Sequence, residues 1–248
     1  MDYFCDPSAK VGNKSLVGYN TYIGKNVIIG LECQIGCGVI IHEDTVIGDK
    51  VRIDDNSVLG KLPMKAANSA VTKEQALLPL EISSDCIIGT SVIIYRGAKI
   101  GEKVLIADLS TVRENVEIGS FTIIGRGVSI ENYCKIGSYC KLETNVYITA
   151  YSELEDKVFI APCVATSNDN YIGRTRDRFK HFKGVIVRKG GRVGVGAVIL
   201  PGKVIGEDAL IAAGALLTRD AENKTIYAGV PAKKFREVPK DQLLENQK

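Results

Sequence analysis

Tryptophan is absent from the 248-residue sequence, and histidine occurs only twice, as His42 and His181. This scarcity of imidazole leaves few side chains that could act as a general base near neutral pH or bind a metal ion. The seven cysteines form no CxxC pair, which is the usual mark of a structural zinc site. The sequence therefore predicts a protein without a metal ion.

Long apolar runs and a strong excess of one charge are also missing. The net charge is +3 and the basic residues are scattered, so neither nucleic acid nor a membrane surface is an expected partner. Apolar stretches are interrupted every few residues, well short of a membrane span. The N-terminal segment MDYFCDPSAK lacks a basic region followed by an apolar one. Together these absences predict a cytoplasmic location.

Repetition with a period of six residues is the dominant feature of the chain. An aliphatic residue recurs at this spacing, glycine follows many of these residues, and a small or β-branched residue comes four positions later. A period of six fits neither an α-helix nor a flat strand. The aliphatic positions form three runs: Val11, Val17, Ile23, Ile29, Ile35, Ile41, Ile47, Ile53, Leu59; Ile82, Ile88, Ile94, Ile100, Ile106, Val112, Ile118, Ile124, Ile130, Ile136, Leu142, Ile148, Leu154, Ile160; and Val187, Val193, Ile199, Ile205, Ile211, Leu217.

Each unit is long enough for a short strand and a corner, and three units close a triangular coil of eighteen residues. Every aliphatic side chain then stacks on its equivalent one coil away, and burying each should contribute roughly 1.5–3 kcal/mol. The fourth position of the unit forms the corner, where a positive φ favours Gly, Asn or Asp. Such residues occupy it at Asn20, Asn26, Asn56, Gly97, Asn115, Gly127, Asn145, Gly196, Gly202 and Asp208.

Four cysteines, Cys33, Cys86, Cys134 and Cys140, occupy the small inward position of the repeat. A free cysteine behaves as a small apolar residue, so we expect these four to fill the core. Disulfides are not expected, because a cytoplasmic protein keeps its thiols reduced.

The repeats over residues 11 to about 222 resemble those of the hexapeptide-repeat acyltransferase family. The resemblance implies an all-β fold, a left-handed parallel β-helix, which is a hand that the spacing alone does not give. We expect this domain over residues 1–222 and a partly helical C-terminal extension over residues 223–248. Each coil would contact only its neighbours, as in other solenoids.

Two segments interrupt the repeat, at residues 61–81 and 168–184. The second is basic and could clamp phosphates of coenzyme A or of a nucleotide sugar, with Arg174 as a candidate contact to the coenzyme. A solvated surface loop is the alternative, although loops of this length are usually functional or disordered. In the family an extruded loop reaches over a neighbouring subunit, and the resemblance implies the same here. The charged residues of the segment are Asp169, Arg174, Arg176, Asp177, Arg178, Lys180 and Lys183.

The C-terminal run Ala212-Ala213-Gly214-Ala215, followed by YAGVPAK from Tyr227, resembles the ending of family members that use acetyl-CoA. Small corner residues such as Ala212, Ala213 and Gly214 would let a pantetheine arm lie against the backbone. Lys233 or Arg236 would then meet a phosphate. The alternative is that Gly-Val-Pro simply ends the β-helix. The resemblance implies acetyl-CoA, or another acyl-CoA, as a co-substrate.

The order of motifs in the middle of the chain resembles that of N-acetyltransferases acting on amino-dideoxy sugars linked to dTDP or UDP. The motifs are IADLSTVRE from Ile106, IEN from Ile130, LETN from Leu142 and TSND from Thr166. The resemblance implies a homotrimer with active sites between subunits. It gives Arg113, Glu114, Asn168 and Asp169 as candidate contacts to the nucleotide-linked sugar.

Counting by eighteen places the corners at 113–114, 131–132, 149–150 and 166–167 in one column, from whose end the second loop leaves. Asp108 and Glu143 are assigned to a neighbouring column on adjacent coils. Glu131 and Glu143 stand where the repeat usually has glycine, and side chains that break a scaffold rule are better functional candidates. Glu143, Asp108 and Glu131, in that order, are therefore the candidate proton acceptors, with solvated corner carboxylates as the alternative.

The chemistry implied is attack by an amine on a thioester carbonyl, helped by a carboxylate base or by the departing sulfur. His181 is a further candidate base, whereas His42 lies outside the central motifs. An O-acetyltransferase, which generally requires a histidine base, and a non-enzymatic β-helix scaffold remain as alternatives. A carbonic anhydrase of the β-helical class needs three histidine ligands, and the chain has two.

Overall fold

The computed structural model describes residues 3–67, 69 and 75–247. Short strands stack into three parallel sheets, which form the faces A, B and C of a triangular prism. Face A contains Phe4–Cys5, Tyr22–Ile23, Ile40–Ile41, Val58–Lys61, Ile93–Tyr95, Thr111–Val112, Ser129–Ile130, Tyr147–Ile148, Ala165–Thr166, Val198–Ile199 and Leu216–Leu217. Face B contains Lys10–Val11, Ile28–Ile29, Val46–Ile47, Glu81–Ile82, Lys99–Ile100, Glu117–Ile118, Lys135–Ile136, Glu153–Leu154, Ile186–Val187 and Val204–Ile205. Face C contains Leu16–Val17, Gln34–Ile35, Arg52–Ile53, Ile87–Ile88, Leu105–Ile106, Ile123–Ile124, Lys141–Leu142, Phe159–Ile160, Arg192–Val193, Leu210–Ile211, Thr225–Ala228 and Lys233–Glu237.

The chain is a left-handed parallel β-helix of about 12 turns, as predicted. Strands pair with those one coil away, and the register is eighteen residues where no loop intervenes, as between Thr111 and Ser129. The second residue of each two-residue strand points inward, and from Ile23 onward the predicted aliphatic positions are buried in one continuous core. The inward polar groups bond to the next coil, as Thr122 does to the carbonyl of Gly137.

The corners have the conformation that the sequence predicts. All ten positions expected to need a positive φ have one, between 53° and 84°. Bulky residues also adopt it at equivalent positions, although such residues rarely do. Two pairs of these residues stack across adjacent coils, Phe121 on Tyr139 and Tyr133 on Tyr151, with ring centroids 4.9 and 5.3 Å apart. This stacking offsets part of the backbone strain.

The cysteines predicted to fill the core are buried, and all seven cysteines are free thiols. Burial raises the pKa of the Cys134 thiol to about 12. Its Sγ lies 3.1 Å from the carbonyl oxygen of Thr149 in the next coil. A thiol with so high a pKa is inert as a nucleophile near neutral pH, which agrees with a packing role.

The C-terminal segment closes one end of the prism. Thr225–Ala228 adds to face C in parallel, and Lys233–Glu237 turns back against it in antiparallel pairing. Two short 3-10 turns follow, at Lys240–Gln242 and Leu244–Asn246. Val238 and Leu243 pack on Ile226 in a second, small core. None of the described helical segments has the length and apolar character needed to cross a lipid bilayer.

Candidate active site

Both loops leave the prism at the same edge. The chain passes from face A to face B through corners that we call edge AB, which includes residues 113–116, 131–134 and 149–152. Loop 1 (residues 62–80) follows the face A strand Val58–Lys61, and loop 2 (residues 168–184) follows Ala165–Thr166. Five coil spacings separate these two strands, or about 24 Å at the usual distance between strands. Edge AB therefore forms a stretch of four coils bounded by a loop at each end.

A charged cluster lies on this stretch. The Arg113 guanidinium donates to both carboxylate oxygens of Glu114, at 2.8 and 3.1 Å, and its Nη1 lies 3.4 Å from Glu131 Oε2. The Glu114 side chain is only 3% exposed, and that of Glu131 is 24% exposed. The guanidinium also rests on the Tyr95 ring, 4.9 Å from its centroid. With all three groups ionised, these three side chains carry a net charge of −1, counted over the part of the chain that the structure describes.

The carboxyl group of Glu131 has a raised pKa. Burial raises the pKa of its carboxyl group, Arg113 opposes that shift, and Glu114 adds to it. Burial likewise raises the pKa of the neighbouring Tyr147 hydroxyl, and the charge of Glu131 contributes. A carboxylate whose pKa is raised towards the working pH is better matched to accepting a proton from a substrate.

A cavity of about 220 Å³ opens beside Glu131, between the wall and loop 2. Tyr147, Thr149 and Ala150 form its floor, and residues of loop 2 cover it. Such a volume is smaller than the usual pocket for a whole drug-sized ligand, so it suits one part of a larger substrate. The loop residues that line it are Asn168, Asp169, Arg178 and Phe182.

Asp169 organises loop 2 from within. Its carboxylate accepts the backbone N–H groups of Tyr171 and Gly173 at 2.9 and 3.0 Å, and Arg178 Nη1 at 2.8 Å. The bond from Gly173 is the main reason why the pKa of Asp169 is lowered. Arg178 in turn lies over the Phe182 ring. The loop thus presents a fixed cover to the cavity, with five basic residues against two aspartates.

Loop 1 is tied down at the opposite end of the same edge. Arg96 donates to the carbonyl oxygens of Leu77 and Glu43 and pairs with Asp44 at 2.8 Å. Gln75 Nε2 donates to the Tyr133 hydroxyl at 2.6 Å, three coils above the strand from which loop 1 departs. Residues 75–80 are therefore held against edge AB by contacts at Tyr133 and Arg96.

The structure separates the three carboxylates that the sequence analysis grouped together. Asp108 and Glu143 lie on the edge between faces C and A, which we call edge CA, and Glu131 lies on edge AB. One whole face separates the two edges, a width of up to about 20 Å for six extended residues. One amine bound within a single chain can therefore not meet all three candidate proton acceptors. Asp108 Oδ1 accepts the backbone N–H of Thr90 in the coil below.

The C-terminal candidates lie together at the top of edge CA. Ala212, Ala213 and Gly214 form a corner. Ala228 lies above Ala212 on the next strand of face C, and Lys233 pairs with Ala228 on the strand after that. No atom lies within 4 Å of the place where a Cβ would stand at Gly196 or Gly214. The backbone of this part of the edge is therefore open. Arg236 lies further along the same exposed strand, opposite Ile226.

Neither histidine lines the cavity beside Glu131. His42 is on edge AB at the base of loop 1, in a smaller cavity with Tyr22 and Arg96, and burial lowers its pKa. His181 is on the exposed side of loop 2, with its ring 6.0 Å from that of Tyr171. Arg174 is exposed on the same loop. The described residues contain no group of three or more His, Cys, Asp or Glu side chains placed to hold a metal ion.

Three residues of the site, Tyr95, Tyr147 and Phe182, were not expected from the sequence. Tyr147 is at an ordinary outward strand position, and Tyr95 and Phe182 carry no motif. Only the path of loop 2 shows that Phe182 lines the cavity, whereas Tyr95 lies eighteen residues before Arg113, one coil below it. Tyr147 could have been found by counting eighteen residues on from Ser129, which precedes Glu131 by two.

Comparison with known proteins agrees with this architecture. No family model matches the chain. Its structure is similar to that of UDP-N-acetylglucosamine acyltransferase from Arabidopsis, with a TM-score of 0.64 and 16% identity over 95% of this chain and 73% of that chain. A segment of 46 residues is 44% identical to a Schizosaccharomyces pombe protein named as an acetyltransferase. That segment is 18% of this chain and spans only 22% of the relative. The chain therefore has the fold of hexapeptide-repeat acyltransferases.

Proposed function

We propose that the protein transfers an acyl group, most simply acetyl, from acyl-CoA to the amino group of a sugar linked to dTDP or UDP. The observation that carries the proposal is the net negative cluster of Arg113, Glu114 and Glu131 beside the cavity on edge AB. The fold shared with an acyltransferase and the short match to a protein named as an acetyltransferase support the reaction class.

The cluster favours an amine over other acceptors. An amino sugar is largely an ammonium ion near neutral pH, and a half-buried site with a net charge of −1 attracts a cation. Loop 2, with a net charge of +3 from its five basic and two acidic residues, lies beside the same cavity and would attract a diphosphate. A substrate with an amine at one end and a diphosphate at the other matches this division of charge.

Glu131 takes the role of proton acceptor. The ammonium group gives one proton to its carboxylate, and the freed nitrogen lone pair attacks the thioester carbonyl carbon. The carbon–sulfur bond then breaks, and the CoA thiolate leaves and takes up the second proton released from nitrogen. Arg113, held by Glu114, keeps Glu131 in place and limits the rise of its pKa. Glu143, ranked first from the sequence, now follows Glu131.

The acyl donor would lie along edge CA. A pantetheine arm needs a surface without side chains, and the open backbone at Gly196 and Gly214 provides one. Ala212 and Ala213 continue that surface towards Lys233 and Arg236, which can bind phosphate oxygens. Glu143 lies three coils below Ala212 on the same edge, so it would lie near the acyl end of the donor.

Donor and acceptor sites on different edges cannot meet within one chain. The proposal therefore includes a homotrimer, in which edge AB of one subunit lies against edge CA of the next. Arg174 of loop 2 would then reach the coenzyme of the neighbouring subunit.

The candidate base in the cavity supports acylation of nitrogen rather than of oxygen. An alcohol is a poorer nucleophile and needs a stronger base such as imidazole. Neither His42 nor His181 lines the cavity. Glu131 does line it, and its carboxyl group has a raised pKa.

The test is a screen of dTDP- and UDP-linked amino sugars with acetyl-CoA, read by release of free thiol and by the mass of the product. The expected product is an amide, heavier than the substrate by one acetyl group. Absence of both thiol release and acyl-CoA binding across the panel would reject the proposal in favour of a non-enzymatic scaffold.

A further inference from the structure

The Tyr95 ring lies between two cations. Its centroid is 4.9 Å from the guanidinium carbon of Arg113 and 5.6 Å from Nζ of Lys61. Arg113 belongs to the coil above Tyr95, whereas Lys61 pairs with Tyr95 from the coil below, so the two cations approach the ring from opposite sides. Tyr95 itself is buried, with an exposed fraction of 7%. A cation is held more firmly over a ring that is shielded from water than over an exposed ring.

The backbone below Tyr95 departs from the regular repeat. The face A strand that precedes loop 1 has four residues, and its register with the next strand shifts between Leu59 and Lys61. Gly60 takes up the extra residue with a φ of 74°, and a Cβ at this position would collide with the Thr45 hydroxyl. A bulge of this kind changes the direction of the neighbouring side chain, and such bulges are common beside active sites. Here the bulge brings Lys61, the last residue before loop 1, under Tyr95.

The Arg113 guanidinium is held in its plane by one residue and on its face by another. Nε and Nη2 donate to the two carboxylate oxygens of Glu114, at 2.8 and 3.1 Å. These bonds set the direction of the guanidinium but not its height above the coil, whereas the Tyr95 ring lies against its face and limits that height. In this position Nη1 lies 3.4 Å from Oε2 of Glu131 in the coil above.

We propose that Tyr95 is a positioning residue, whose ring holds Arg113 at the height from which the guanidinium reaches Glu131. Burial raises the pKa of Glu131, and Arg113 opposes that rise. Without the ring, Arg113 can keep its bonds to Glu114 and move away from Glu131, so the pKa of Glu131 should rise further. The consequence for catalysis rests on the proposed function, whereas the position of Arg113 does not.

Other titratable or charged groups also face Glu131. They belong to the coil below, the coil above, the corner of Glu131 itself and loop 2, and they are Glu114, Tyr147, Cys134, Asp169 and Arg178. A substitution at Tyr95 changes none of these groups chemically. A change in the pKa of Glu131 that depends on the aromatic ring at position 95 is therefore assigned to Arg113.

The ring can be removed or kept by substitution. Tyr95→Leu removes the aromatic face, and Tyr95→Met does the same with a more flexible side chain, in case the first variant does not fold. Tyr95→Phe keeps the face and loses only the hydroxyl. Tyr139→Leu is the control, because it removes a ring that is stacked on Phe121 at the edge between faces B and C. Circular dichroism verifies the fold of each variant.

The pKa of Glu131 is measured without substrate, from the NMR shift of its carboxyl carbon in protein that contains isotope-labelled glutamate. The signal is assigned by its loss in Glu131→Gln. The midpoint should lie about 0.5–1 pH unit higher in Tyr95→Leu and Tyr95→Met than in the wild type, the order expected when one cation–π contact is lost. It should be unchanged in Tyr95→Phe and Tyr139→Leu. A wild-type midpoint in the folded variants without a ring, or an equal shift in Tyr95→Phe, would overturn the proposal.

The pH dependence of kcat/KM separates this proposal from the proposed function. If Glu131 is the base, the acid limb measured with a nucleotide-linked amino sugar should move to higher pH in Tyr95→Leu, by the same amount as the NMR midpoint. A shifted NMR midpoint with an unmoved acid limb would reject Glu131 as the base and support the positioning of Arg113 by Tyr95. A shifted midpoint with no activity in the wild type would likewise reject only the function.

Discussion

Nη1 of Arg113 lies 3.4 Å from Oε2 of Glu131, whereas Nε of Arg113 lies 2.8 Å from Oε2 of Glu114. The arginine therefore neutralises the buried Glu114 first and Glu131 less completely. The incomplete pairing agrees with the direction in which burial moves the pKa of Glu131. Folding therefore disfavours the Glu131 anion relative to its acid form, in comparison with a free carboxyl group.

This relationship predicts a stabilised but inactive variant. Because the pKa of Glu131 is raised on folding, its contribution to stability is full below the unfolded pKa, about 4.3, and is lost as pH rises through the folded pKa. Glu131→Gln, which cannot ionise, should therefore have a melting temperature equal to or above that of the wild type at pH 7. The difference should shrink as pH falls towards 4. Glu153→Gln on exposed face B serves as the control, and a lower melting temperature for Glu131→Gln alone at pH 7 would contradict the account.

The conformation of loop 2 should depend on the ion pair between Asp169 and Arg178. Asp169→Asn removes the charged partner of Arg178 and weakens the acceptor of two backbone N–H groups, so the cover of the cavity should loosen. We expect KM for the sugar substrate to rise on the order of tenfold, because positioning is lost, with the melting temperature unchanged. Asp177→Asn, which removes an exposed partner of Lys180 in the same loop, should leave KM unaffected. Equal KM values for the two variants would show that the Asp169–Arg178 pair does not order the site.

The open backbone at Gly214 predicts a selective effect on the acyl donor. Gly214→Ala places a methyl group where no atom now lies within 4 Å, in the groove proposed for the pantetheine arm. Gly38→Ala on the same edge has nearly the same φ, 67° against 66°, and should have a similar cost in backbone strain. Calorimetry should show weaker acyl-CoA binding only for Gly214→Ala. Similar affinities in both variants would place the donor elsewhere.

The phosphate contacts proposed for Lys233 and Arg236 can be tested against a neighbouring lysine. Lys233→Ala and Arg236→Ala should each weaken acyl-CoA binding by about tenfold, the order expected when one charge-assisted hydrogen bond is lost. Lys234→Ala is the control, because Lys234 already pairs with Glu222 at 2.8 Å. Nucleotide-sugar binding should not change in any of the three. If Lys234→Ala weakens acyl-CoA binding as much as the other two variants do, the loss reflects the lower positive charge of the strand and not a specific phosphate site.

The repeat predicted most of the fold because each of its positions has one physical role. The inward aliphatic residues, the four buried cysteines and the ten corners with positive φ follow from the period of six. The same counting placed Glu131 and Glu143 in different columns, because twelve residues are two units and therefore reach a different corner. The cavity could not be predicted from the sequence. Its cover is loop 2, and the path of that loop depends on ion pairs such as Asp169 with Arg178, which the repeat does not specify.

The account is tested most directly by the rate of free thiol release with one nucleotide sugar in its amino and its hydroxy forms. Wild type and Glu131→Gln are compared at saturating acetyl-CoA. The account predicts turnover of the amino form alone by the wild type, and a fall in kcat of about 10²–10⁴-fold in Glu131→Gln with both ligands still bound. Equal use of the two forms, or a kcat above about a tenth of the wild-type value in Glu131→Gln, would contradict it.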